Sequence, residues 1–85
     1  MAYYRCDFNI TSAENEDFQD IVGKPLCDSE YFDCDTDEGA LAWAKDLAMQ
    51  GTYFADAGHC GLELTYLVEV DDDTETFEEK RVIYY

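Results

Sequence analysis

Basic side chains are scarce in this chain. Its 85 residues hold 5 Lys plus Arg against 21 Asp plus Glu, a formal net charge of −16 at pH 7. A cationic nucleic-acid binder needs Lys and Arg on the phosphates, and anionic membrane surfaces attract basic segments. Direct contact with nucleic acid and with membranes is therefore not expected. Proline occurs once and glycine five times, which excludes a Pro/Gly-rich linker. No stretch reaches the roughly 18 apolar residues of a membrane helix. The opening segment from Met1 to Asp7 lacks a basic region followed by an apolar run. The expected location is the cytoplasm, with Cys6, Cys27, Cys34 and Cys60 reduced.

Chemistry-bearing motifs are equally sparse. There is one histidine, His59, and no G-x-S-x-G elbow, P-loop or G-x-G-x-x-G. Carboxylate pairs are unavoidable at this acid content and carry no weight for glycosidase-type chemistry. The chain is expected not to be an enzyme and to need no cofactor.

Hydrophobic residues make up 47% and aromatics 15% of the chain, with 7 Tyr, 5 Phe and 1 Trp. Acidic disordered tails lack such aromatics, so residues 1–85 are expected to form one small folded domain. Its stability is expected to be modest, because a chain of this size buries only roughly 60–65% of its unfolded surface. Salt or low pH is expected to stabilise it by relieving self-repulsion.

Residues 2–10 alternate, with Tyr4, Cys6, Phe8 and Ile10 facing one way and Tyr3, Arg5, Asp7 and Asn9 the other. That is the period of a half-buried strand. Thr11, Ser12, Ala13 and Glu14 fit a capping box. With the stripe of Phe18, Ile21 and Val22 and the stop signals Gly23 and Pro25, they predict a short helix over 12–22. Residues 30–35 read as a short strand with Phe32 and Cys34 inward. Asp35 or Thr36 caps a helix in which Ala40, Leu41, Trp43, Ala44, Leu47 and Ala48 recur at helical spacing until Gly51. Residues 52–61 read as a loop. Residues 62–71 read as a strand with Leu62, Leu64, Tyr66, Val68 and Val70 on one face. Asp72, Asp73 and Thr74 form a polar turn into a last strand over 76–85, whose register is left open. The order predicts an α+β domain: a mostly antiparallel three- to four-stranded sheet, one main helix packed on one face, a short second helix, and acidic residues on the other face.

Two metal patterns fail on spacing. Asp33, Asp35 and Asp37 open like an EF-hand loop, but its sixth and twelfth positions hold Glu38 and Ala44 instead of Gly and Glu. Among the cysteines the closest spacing is Cys27 to Cys34, too wide for a zinc knuckle. Cys6 and Cys34, with Cys60 as a further candidate, read as small core hydrophobes. No metal site is expected, and the acidic turn at Asp71, Asp72 and Asp73 is at most a weak divalent-cation binder.

The acids fall into three runs. The first is Glu14, Glu16, Asp17 and Asp20. The second is Asp28, Glu30, Asp33, Asp35, Asp37 and Glu38. The third is Glu69, Asp71, Asp72, Asp73, Glu75, Glu78 and Glu79. A net charge of roughly 2–8 suffices for solubility in a small domain, and this chain far exceeds it. Sixteen charges match about 27 Å of duplex DNA, close to the diameter of about 31 Å for a compact globule of this length. On an ideal strand Glu63, Glu69 and Asp71 would offer regularly spaced anions along one face.

In size and charge the chain resembles small acidic phage-encoded inhibitors: DNA mimics, anti-restriction proteins and anti-CRISPR proteins. The resemblance implies a stoichiometric, non-enzymatic binder of the basic cleft of a nucleic-acid-binding protein, such as a CRISPR or restriction nuclease, acting in the host cytoplasm. The candidate partner-binding residues are Asp33, Asp35, Asp37, Glu63, Glu69, Asp71, Asp72, Asp73, Glu75, Glu78 and Glu79. Tyr3, Tyr31 and Tyr84 are candidate anchors, since Tyr is favoured at interface hot spots. The alternative is an accessory domain that docks a different basic partner.

Overall fold

The computed structural model describes residues 2–26, 28–71 and 78–84. The elements in chain order are β1 (Ala2–Ala13), a 3-10 helix (Glu16–Ile21), β2 (Glu30–Cys34), α1 (Asp37–Gln50), β3 (Thr52–Phe54), β4 (Gly58–Val70) and β5 (Glu79–Val82). All strand pairs are antiparallel, in the order β2-β1-β4-β3 with β5 also on β4. The architecture is α+β, as the alternation and the single long apolar stripe predict.

β1 and β4 are the spine. They pair from Tyr3↔Val70 to Ala13↔Cys60. β1 fills one edge of β4, so β3 and β5 share the other, at Gly58–Cys60 and at Val68–Val70 respectively. The sheet therefore has two different ends. One carries β2 and β5, and the other carries β3 and the 3-10 helix.

The inward set of β1 is as predicted: Tyr4, Cys6, Phe8 and Ile10 are all buried. Tyr4, Cys6 and Phe8 form the main core with Phe32, Leu67, Ile83, Ala40 and Ala44. Small Ala40 and Ala44 let α1 lie close on the sheet, and each is fully buried. Trp43 departs from the predicted stripe. It is 42% exposed and covers the core edge by stacking on Phe32, ring centroids 4.0 Å apart. Thr36 caps α1, its hydroxyl accepting from the Gly39 N–H at 3.0 Å.

Four expectations are corrected. The helix over 12–22 is instead a longer β1 followed by a 3-10 turn. Thr11 is the extra residue at a register shift, Ser12 and Ala13 find ladder partners on β4, and Glu14 and Asn15 donate their N–H groups to His59 and Ala57 carbonyls at 2.9 Å. Ser12 accepts from the Gly61 N–H, so the capping box is spent across strands and Asn15 caps the turn in its place. The loop over 52–61 contains β3 and the start of β4, because Gly58, at φ 78°, makes a tight reversal possible. β5 is shorter than the strand predicted over 76–85. Its register, left open by sequence, is Val68↔Val82, Glu69↔Arg81 and Val70↔Glu79. The predicted turn at Asp72, Asp73 and Thr74 lies outside the described residues.

The fourth correction matters most for the surface. A β-bulge at Thr65 separates Asp7↔Tyr66 from Phe8↔Leu64. An extra residue reverses the alternation beyond it. Leu62, Leu64, Leu67 and Glu69 share the α1 face with Phe8, Cys6 and Tyr4, while Tyr66, Val68 and Val70 share the outer face with Arg5 and Tyr3. The single-face reading of Leu62, Leu64, Tyr66, Val68 and Val70 is overturned. The outer face is mixed rather than simply acidic, since Val68 and Val70 are buried on it.

Candidate protein-binding surface

Asp33 to Glu38 of the second acidic run and Glu69, Asp71, Glu78 and Glu79 of the third meet at the β2/β5 end of the sheet. The C-terminal ends of β2 and β4, and the N-terminal ends of β1, β5 and α1, all lie there. Glu30 lies at the other end of β2, opposite Cys6. One row of cross-strand partners on the outer face runs Asp33, Tyr3, Val70, Glu79. The adjacent row, on the α1 face, runs Phe32, Tyr4, Glu69, Arg81. Asp71 follows directly, its N–H donating to the Glu78 carbonyl at 2.8 Å. Asp35 lies in the connection from β2 into α1, whose first turn carries Asp37 and Glu38.

Two arginines organise this end. Arg81 grips Asp37 with two guanidinium nitrogens at 2.7 and 2.9 Å and reaches Glu69 at 2.9 Å. The Tyr4 hydroxyl, rising from the core, donates to the same Asp37 carboxylate at 2.8 Å. The network joins β1, β4, β5 and the start of α1. On the outer face Arg5 pairs with Glu79 at 2.9 Å, and the Tyr66 hydroxyl donates to the other Glu79 oxygen at 3.1 Å. The Arg5 guanidinium also sits over the Tyr66 ring, 5.5 Å from its centre.

The titration behaviour follows. Hydrogen bonds from Arg81 and then Tyr4 hold the Asp37 carboxyl down at about 2. Burial, with the Asp37 hydrogen bond behind it, pushes the Tyr4 hydroxyl up to about 12. Arg81 is shifted upward by its hydrogen bonds to Asp37 and Glu69. Burial also pushes the Cys6 thiol up to about 12, leaving it a packing group with little thiolate at neutral pH.

The candidate acids divide sharply. Asp37, Glu69 and Glu79 are paired at the surface with Arg81 and Arg5, and Glu79 stays exposed while paired. Asp33, Asp35 and Glu78 are exposed at the same end, with Asp71 half-buried beside them. Glu38, in the second run but not among the candidate contacts, is also exposed here, as its helix-start position implies. Asp72, Asp73 and Glu75 lie outside the described residues. Glu63 is exposed on the outer face opposite Asn9, whereas Glu69 faces α1. The regular array of Glu63, Glu69 and Asp71 along one face therefore does not form, because the bulge at Thr65 turns Glu69 over. The first run, Glu14 to Asp20, sits at the far end. Tyr4 to Ala13 alone spans about 30 Å at roughly 3.3 Å per residue.

Tyr3 and Tyr31 stack on the outer face with ring centroids 6.1 Å apart, and Tyr84 is 89% exposed. No family model, curated protein or solved structure matches this chain. Cys6, Cys34 and Cys60 are free thiols, Cys6 and Cys60 buried; Cys27 lies outside the described residues. Among the described residues no helix is long and apolar enough to cross a membrane, and no three His, Cys, Asp or Glu side chains gather as a metal-ligating group.

The Asp37 network makes a pH prediction. A depressed carboxyl contributes stability that is fully present above its unfolded value of about 3.8 and is lost as pH falls toward about 2. Lowering pH from 7 relieves self-repulsion first. The melting temperature is expected to rise toward about pH 4 and fall below it. Asp37→Asn is expected to lower the melting temperature at neutral pH and to flatten the acid fall. Thermal melts across the pH series check both.

Proposed function

We propose that this protein is a non-enzymatic inhibitor that occupies the basic cleft of a nucleic-acid-binding protein by charge mimicry. The observation that carries the reading is the convergence of Asp33 to Glu38 with Glu69, Asp71, Glu78 and Glu79 at one end of the sheet. There Asp33, Asp35, Glu38 and Glu78 are exposed at or beside the ends of β2, α1 and β5, and the Arg81 and Arg5 pairs tie α1 and β5 to β4 and β1. In this reading those four carboxylates stand where phosphates would, against Lys and Arg of the partner. The stacked Tyr3 and Tyr31 supply flat apolar contact beside them, while Tyr84 protrudes further along the sheet, next to Thr65 and Tyr66.

Elongation shifts the argument from net charge to placement. The molecule measures 41 × 26 × 19 Å. Sixteen charges along its long axis give one per about 2.6 Å, sparser than the roughly 1.7 Å of duplex DNA. The local density at the β2/β5 end, rather than the whole-chain average, is what a basic cleft would read. Long-range attraction between such surfaces speeds association and weakens with salt.

The test is competition. A panel of basic nucleases, CRISPR and restriction enzymes among them, is incubated with labelled DNA or RNA and increasing amounts of this protein. Stoichiometric displacement at about 50 mM salt, falling steeply by about 200 mM, is the expected result. Failure to bind any of them at low salt overturns the reading.

A further inference from the structure

The end opposite the Arg81 network holds a cleft of about 460 Å³ walled by Ile10, Phe18, Ile21, Leu26, Phe54 and Ala57, with Lys24 and Asp56 at its margin. That volume lies within the roughly 300–1,000 Å³ of ordinary binding pockets. Its existence follows from the local fold. The 3-10 helix is only six residues long and carries no fully buried residue. Phe18 and Ile21 pack on the small buried cluster of Ile10, Ala57 and Cys60 and stay half-exposed themselves, and Phe54 is likewise only half-buried.

The surroundings select the occupant. Asp17 and Asp20 flank the lining residues Phe18 and Ile21 along the 3-10 helix, while the Glu14 carboxylate accepts from the His59 N–H at 3.2 Å. Asp56 stands on the other side, in the β3–β4 turn. Against them stands Lys24. Apolar walls favour an apolar group, and acids on both sides disfavour an anionic amphiphile such as a fatty acid. They favour cations placed on each side of the apolar group. A polypeptide offers that arrangement, with a large hydrophobic side chain between Lys or Arg neighbours, whereas an apolar monoamine carries a single charge and a linear polyamine lacks the large apolar group.

We propose that this cleft receives a hydrophobic side chain from a basic segment of a partner protein. The site is separate from the acids of the β2/β5 end. It anchors by apolar burial, with charge setting which segment is admitted.

The test is a titration of the isotope-labelled full chain, followed by amide chemical shifts. The probe is a blocked nine-residue peptide with a central leucine flanked on both sides by lysine and arginine. Saturable shifts at Phe18, Ile21, Phe54 and Ala57 are expected. Replacing the central leucine by serine should weaken binding at least about tenfold, the loss for one buried aliphatic side chain. Ala55→Trp, at an exposed position lining the cleft mouth, should abolish the shifts, and Asp20→Asn with Asp56→Asn should weaken them about threefold or more. Equal binding of the serine peptide overturns the proposal, and so do shifts confined to the β2/β5 end. Saturation of the cleft by phenethylamine without binding of the leucine peptide also overturns it, in favour of a small-molecule site. The serine peptide tests the unaltered protein, so misfolding of a variant cannot imitate success. Nuclease competition at the other end is read separately, so the two readings fail independently.

Discussion

Replacing Gly51 by alanine is expected to destabilise the fold by about 3 kcal/mol or more. Gly51 ends α1 at φ 72° and ψ −159°, a region essentially restricted to glycine. A Cβ there would lie 2.5 Å from the Cys60 carbonyl oxygen, a backbone atom of β4 that cannot swing aside, and 2.8 Å from His59 Nε2. The residue therefore fixes two things at once. It lets the chain leave α1, and it lets β3 enter the sheet against Gly58–Cys60. A domain of this length has roughly 4–13 kcal/mol of stability in all, so the melting temperature should fall by more than about 10 °C. Gly23→Ala is the control. Its φ of 89° carries the same kind of backbone strain, but nothing lies within 4 Å of the added Cβ. It should cost only about 1 kcal/mol. Similar losses for the two substitutions would show that the close approach to Cys60 is not what constrains Gly51.

Neutralising Asp33, Asp35, Glu38 and Glu78 together, as Asn and Gln, is expected to weaken binding to a basic nuclease by about a hundredfold or more at low salt. Most of that loss should appear in the association rate, because exposed charges steer encounter. The melting temperature should hold or rise, since these side chains are exposed and repel one another. Neutralising Glu16, Asp17, Asp20 and Glu63 gives the same net charge at other places and is expected to cost only a few-fold. Equal losses from the two sets would mean that total charge acts and the β2/β5 end does not. Neutralising Asp37, Glu69 and Glu79 should do something different, lowering stability by dismantling the Arg81 and Arg5 pairs.

Much of the framework is legible in the residues. β1 alternates cleanly because one face meets the core and the other does not, and all four inward residues are buried. α1 shows both caps and a run of alanines, and those signals are local. The features that escaped depend on a partner strand. Thr11 to Glu14 satisfy a capping rule, yet β4 offers ladder bonds that a capping box cannot match. The segment 52–61 has the glycines of a loop, but Gly58 serves a tight reversal between β3 and β4 and Gly61 lies within β4 opposite Ser12. Nothing in Thr65 announces a bulge. Its presence is decided by how β4 must register against β1, and it alone turns Glu69 from the outer face to the α1 face.

The candidate surface divides in the same way. Composition dictates that acids must exceed bases by 16, and adjacency along the chain groups most of them into three runs. Neither says which runs meet, since that depends on strand order. Antiparallel pairing of β1 with both β2 and β4 brings Asp33 to Glu38 and the described acids of the third run to one end and sends the first run to the other. Ion pairs with Arg81 and Arg5 then engage Asp37, Glu69 and Glu79, because two scarce cations are placed where acids from distant segments converge. Charge excess and strand period are properties of single segments and can be read along the chain. Which acids stay free to meet a partner is a property of contacts between segments, and only the assembled sheet settles it.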